Sequence, residues 1–213
     1  MEFNRFKTVI SKVKNLALPG EEIQLKMAPM ERLQELKKLA QSQKNANKAG
    51  VMVLFYPNEI QETNLILILR KTYKGVHSGQ VGFPGGRFET RDKELSQTAL
   101  RETEEEIGVP VKHIQMIKQL TEMYIPPSNF IVHPFLGLIE SKPRFIAQPS
   151  EVEDLIEVPL THFLDETVII TKTLTTSYAE DIKVPAYQLN GHVVWGATAM
   201  ILSEVRHLLK EVL

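Results

Sequence analysis

The chain has 213 residues, 43% hydrophobic and 24% charged, with a formal net charge of −1, enough for one domain with a full core and without the global basic field of a nucleic-acid binder. No apolar run approaches the roughly 18 residues that suggest a membrane span. The chain contains no cysteine, which excludes disulfides, thiolate ligands and a cysteine nucleophile and makes a cytoplasmic protein the expectation.

The N-terminal stretch MEFNRFKTVISKVKNLALPG is basic and amphipathic and lacks the apolar core of a signal peptide. Phe3, Phe6, Ile10 and Val13 recur at helical spacing, so a helix packed on the domain is expected. Pro29 can open a second helix at its first turn, with Leu33, Leu36 and Ala40 on one side. The polar run QSQKNANKAG reads as a linker or loop. Residues 1–50 are therefore expected to form a helical N-terminal extension on a core of residues 51–213, the whole being one domain. From Val51 the pattern changes to short runs rich in Val, Ile and Leu: VMVLFY, NLILIL, MIKQLTEMYI and IVHPFLGLI, which signal strands. A helix over about 93–107 falls between the second and third of them. VPLTHFL predicts a short helix after a proline. VIITKTLTT, VPAYQL and HVVW predict further strands, the last two joined as a hairpin by Asn190-Gly191. A closing helix carries Ile201, Val205, Leu208 and Leu209 on its apolar face. The fold class is α/β, with a mixed sheet sandwiched between helices.

The central helix concentrates the chemistry. Leu95, Ala99, Thr103 and Ile107 repeat every fourth residue and can face the sheet. At 100° per residue Glu106 falls beside that face, and Glu102 and Glu105 lie progressively further round toward solvent. Carboxylates three and four apart share a helix face and repel, and a bound divalent cation relieves the repulsion. Glu104 points elsewhere, toward solvent. Taken alone, ETEEE also describes a solvated acidic face. The Pro84-Gly85-Gly86 turn upstream favours a metal site that handles phosphate, while Gly108 fits the left-handed residue that ends a helix.

The stretch FPGGRFETRDKELSQTALRETEEEIGV, Phe83 to Val109, resembles the Nudix box, G-x(5)-E-x(7)-R-E-U-x-E-E-x-G-U with U aliphatic. Gly86, Arg101, Glu102, Glu105, Glu106, Gly108 and Val109 supply its fixed positions. The box is one residue longer between Gly86 and Arg101, Asp92 stands at the first acidic position, and Thr103 replaces an aliphatic residue. The longer box looks like the coenzyme A diphosphatase branch, whose upstream signature is LLTxR-(S/A)-x(3)-R-x(3)-G-x(3)-FPGG. Arg70, Gly79 and the FPGG at 83–86 match it; Ile68, Lys71 and Gly75 depart from it, Gly75 taking the place of the second arginine.

The resemblance implies a Nudix fold and metal-dependent hydrolysis of a nucleoside diphosphate derivative, coenzyme A or its acyl forms, to 3′,5′-ADP and 4′-phosphopantetheine. It implies Mg²⁺ or Mn²⁺, hard cations that take oxygen ligands, held by Glu102, Glu105 and Glu106 with the Gly86 carbonyl as a fourth. Arg101 is expected to orient a carboxylate by a bidentate pair, with Asp92 as a candidate partner. Glu105 is the expected general base where it is not wholly a ligand. The other candidates for the base, Glu151, Glu153, Asp154 and Glu157 in QPSEVEDLIEVPL, equally read as surface charges flanking Val152, Leu155 and Ile156. Arg70, Lys71 and His77 are the candidate phosphate-binding residues. His133 reads as structural, and Tyr73, Phe83 and Phe130 either stack a base or fill the core. A homodimer is common in this family. Two other readings stay open: the same chemistry on ADP-ribose, NADH or another nucleoside diphosphate derivative, and a nucleotide-binding module without turnover.

Overall fold

Strand β1 (Asn47–Pro57) is buried on both faces, which is why its sequence is a continuous apolar run instead of an alternation. In the computed structural model, which describes residues 1–29, 45–72, 79–174 and 181–213, β1 runs parallel to β7 (Phe130–Leu138) and antiparallel to β2 (Thr63–Arg70). β2 pairs with β8 (Val152–Pro159) and with the two-residue β3 (Val81–Gly82), while β5 (Gln115–Gln119) and β6 (Met123–Ile125) both pair with β7. Along the edge of β1 that β2 leaves, β4 (Gly85–Arg87) takes over, with Gly86 opposite Gly50. The result is the expected mixed sheet, of eight strands among the described residues. A separate antiparallel sheet joins β9 (Ile169–Leu174), β10 (Ile182–Leu189) and β11 (His192–Trp195), the last two closed by the Asn190-Gly191 turn.

Helices cover both faces. Helix α3 (Leu95–Ile107) lies over Met52, Leu54, Tyr56, Ile66 and Ile68 on one face. On the other, Val53, Phe55, Leu65 and Leu67 meet helix α1 (Phe3–Ile10) and the long C-terminal helix α5 (Gly196–Val212), with Phe3, Phe6, Ile10, Leu202, Val205 and Leu208 in one cluster. Between them in sequence lie α2 (Glu21–Gln24) and α4 (Leu160–Leu164), the latter opened by Pro159 as predicted. The N-terminal helix therefore packs on the domain through the four residues its spacing singled out. The helix expected after Pro29 lies outside the described residues.

A buried carboxylate ties α5 to the rest. Glu204, fully buried, accepts from Gln24 Nε2 at 2.8 Å and from Thr121 through both its backbone N–H (3.2 Å) and its hydroxyl (2.6 Å). Replacing it by alanine removes the acceptor of the Thr121 N–H and hydroxyl and one of the two acceptors of Gln24 Nε2, and Glu204→Ala is expected to lower stability by about 2 kcal/mol in urea unfolding. A loss below a few tenths would show that the donors find other partners.

The same contact corrects one expectation. MIKQLTEMYI forms two strands, β5 and β6, because Thr121 turns its backbone N–H to Glu204 and leaves the ladder. Two other differences concern where strands lie. β1 begins at Asn47, within the expected linker, where parallel pairing with Phe130 and Ile131 holds it. The acidic segment after Pro149 contains strand β8, whose Val152, Ile156 and Val158 are buried while Glu153 and Asp154 face water.

Candidate functional site

Helix α3 turns its faces as the periodicity requires. Ala99, Thr103 and Ile107 are buried, Glu106 beside them is also buried, Glu102 is half-buried, and Glu104 and Glu105 are exposed. The helix ends at Gly108 in the left-handed conformation (φ 71°), its N–H returning to the Glu104 carbonyl at 3.0 Å. The freed carbonyls of Glu106 and Ile107 accept from the backbone N–H groups of Gln148 and Ile146, each at 2.9 Å. This cap fixes the following segment on the helix end. Glu151 N–H then donates to the Gln148 carbonyl (3.0 Å), and Lys71 N–H donates to the Glu151 carbonyl (2.9 Å). Glu151 is thereby delivered to the acidic helix face, and one oxygen from each of Glu102, Glu106 and Glu151 lies within 4.8 Å of the others.

The burial of Glu106 dominates the electrostatics. Its side chain is 1% exposed; Oε2 accepts the Gly85 N–H at 2.8 Å and Oε1 faces Arg70 Nη1 at 3.3 Å. Burial pushes its carboxyl up to about 7, against the pull of Arg70 and the Gly85 N–H, with Glu102 and Glu151 adding to the rise. Burial also raises the Glu102 carboxyl, and the nearby Arg101 opposes that shift. Gly86 makes the crowding sterically feasible: a Cβ there would lie 2.4 Å from Glu102 Cδ, so only glycine lets the carboxylate rest on the β4 backbone.

Arg101 organises the rest. Its Nε and Nη2 each donate to Asp92 at 3.0 Å in a bidentate pair, Nη1 donates to Glu102 (2.7 Å) and Glu105 (3.0 Å), and Nη2 also reaches the Arg87 carbonyl (3.1 Å). The shorter Asp92 suffices because it is itself buried and held by the Glu89 N–H and the Thr98 hydroxyl. The hydrogen bonds from Arg101 hold its carboxyl well below the usual carboxylate range. Arg101 thus aims Glu102 along the helix and ties the loop before α3 to it.

The residues singled out in the sequence fall into groups. Glu102, Glu106 and Gly86 come together. Glu105, exposed, lies outside the trio, its oxygens taken by Arg91 (3.1 Å) and Arg101. Arg70 meets Glu106; Lys71 pairs by its side chain with Glu153 at 2.7 Å, facing outward. His77 and Tyr73 lie outside the described residues. Phe83 is core, and His133 is buried beside Gln119. Of the four acids in the later segment, Glu151 alone joins the trio; Glu157, further along β8, accepts from the Tyr56 hydroxyl at 2.6 Å. The sequence signal for Glu151 is confined to its acidic neighbourhood, which does not tell it from Glu153.

A trio of carboxylates supplies only hard oxygen donors, the set that suits a divalent cation, and residues 46–175 match the model of the NUDIX domain. The chain belongs to the Nudix family. Over 149 residues it is 32% identical to the uncharacterized Nudix hydrolase NudL of Photorhabdus laumondii, an overlap of 66% of this chain and 74% of that protein. The Pectobacterium atrosepticum NudL is 33% identical over 148 residues, covering 66% and 72%. Among solved structures, the Nudix hydrolase RenU from M. smegmatis aligns with a TM-score of 0.55 at 13% identity, over 79% of this chain and 88% of that one. A MutT/nudix family protein from Enterococcus faecalis aligns at 0.54 and 21% identity, over 92% and 76%. These likenesses bear out the Nudix fold. Among the described residues, no helix is long and apolar enough to cross a membrane.

Proposed function

We propose that the chain is a metal-dependent diphosphatase that cleaves coenzyme A or its derivatives to 3′,5′-ADP and (acyl-)4′-phosphopantetheine. The observation that carries the chemistry is the convergence of Glu102, Glu106 and Glu151 at the end of α3. The substrate class rests on Arg70, Gly79 and the FPGG stretch in the register of the coenzyme A branch. Glu102 and Glu106 would hold Mg²⁺ or Mn²⁺, with the Gly86 carbonyl as a further oxygen donor. The ion, when bound, neutralises the diphosphate and acidifies a water. Glu151, the solvent-facing member of the trio, is the acid we assign to accept the water's proton, because both Glu105 oxygens are engaged by arginines. Arg101 stays behind the site, aligning Glu102, and the partly exposed Arg70 is the residue we assign to phosphate.

A hydrolysis panel tests the reading. With Mn²⁺ or Mg²⁺, kcat/KM is expected to be highest on coenzyme A or an acyl form. Higher efficiency on ADP-ribose or NADH would move the substrate class while keeping the chemistry. Binding of any of these compounds without turnover would make the chain a nucleotide-binding module.

A further inference from the structure

Arg70 sits where a metal ion and a substrate would both act. Its Nη1 is 3.3 Å from Glu106 Oε1, and its side chain is 27% exposed while that of Glu106 is 1% exposed. The two contacts of this carboxylate differ in kind: the Gly85 N–H is part of the backbone, whereas the guanidinium ends a long, partly exposed side chain. The Arg70 backbone is anchored independently of its head. Its N–H donates to the Gln80 carbonyl at 3.0 Å, the next residue, Lys71, donates to Glu151, and the β2–β8 register shifts between Leu69 and Arg70. The head can therefore swing without moving the strand. A guanidinium and a divalent cation sharing one carboxylate repel at a few ångströms, and a low-dielectric wall strengthens the repulsion.

We propose that Arg70 is an exchangeable counter-ion: it neutralises Glu106 in the metal-free protein, yields that carboxylate when the ion binds, and then takes a diphosphate oxygen of the substrate. This makes Arg70 a positioning residue toward the metal and a binding residue toward the substrate. It rests on the metal-dependent reading above and adds a sign that reading does not contain: removing Arg70 strengthens metal binding.

The test titrates Mn²⁺ into wild type and Arg70→Gln at pH 8.5, following free Mn²⁺ by electron paramagnetic resonance, and then measures binding of methylenebisphosphonate, a diphosphate that cannot be hydrolysed, to the Mn²⁺-loaded proteins. Arg70→Gln is expected to bind Mn²⁺ about threefold tighter or more, and the bisphosphonate about tenfold more weakly. Arg70→Met, which keeps the aliphatic stem, gives the same test if the glutamine variant does not fold, judged by circular dichroism in EDTA. Equal or weaker Mn²⁺ binding by the variants, with wild type binding the ion, overturns the counter-ion role alone. Unchanged bisphosphonate affinity overturns the hand-over to substrate. Failure of wild type to bind Mn²⁺ or Mg²⁺ removes the metal-dependent reading and this inference with it.

Discussion

Glu106→Gln is expected to lower kcat by about a thousandfold while leaving the fold intact. The amide has the shape of the carboxylate and keeps an oxygen for the Gly85 N–H, so the backbone contact at the start of β4 survives. What it loses is the charge. Glu106 is the most deeply buried member of the trio, and the surrounding protein, not water, sets the field that an ion there would feel. Steady-state kinetics on the best panel substrate, beside a urea unfolding curve, would check this. Turnover within tenfold of wild type would remove Glu106 from the ligand set.

Metal-free protein is expected to lose stability as the pH rises from about 4.5 to about 7. The Glu106 carboxyl has an ordinary value near 4.5, and burial raises it to about 7 in the folded chain. Between those values the native state binds a proton that the unfolded chain releases, so the contribution is fully present below about 4.5 and is lost through about 7. Its size is about 3 kcal/mol in the metal-free state. Urea midpoints measured in EDTA at pH 5 and pH 8 give the difference. Glu106→Gln should flatten it, because the amide does not titrate, and saturating Mn²⁺ should reverse the loss at pH 8 by binding only the folded state. A wild-type profile no steeper than that of the glutamine variant would show that Glu106 does not carry the titration.

The extent to which the site was legible follows from how far each signal travels along the chain. Glu102 and Glu106 were legible because helical periodicity converts sequence spacing into angle, and the angle sets burial: Glu106 beside the core face, Glu105 further round in water. Asp92 and Arg101 were legible as a pair only through the pattern of the box, because Glu102 and Glu105 also lie within reach of the same guanidinium. Glu151 could not be separated from Glu153, since both flank Val152 and residues two apart on an extended chain point to the same side. The helix-end cap from Ile146 and Gln148 decides between them, together with the Lys71 hydrogen bond. None of those backbone contacts leaves a residue-type signature. The split of MIKQLTEMYI was hidden for the same reason, because its cause is a buried glutamate on the last helix.

By itself the sequence determined the family, the helix that bears the acids, the apolar runs of the sheet, and the packing of the N-terminal helix through Phe3, Phe6, Ile10 and Val13. These are properties of local spacing, where a few residues fix an angle or a pattern. Only the tertiary structure decided that Glu151 completes the trio, that Glu105 turns to Arg91 and Arg101, and that Arg70 stands against Glu106. Those outcomes depend on where separate strands and loops meet. Distance through space governs charge, and sequence separation carries no record of it.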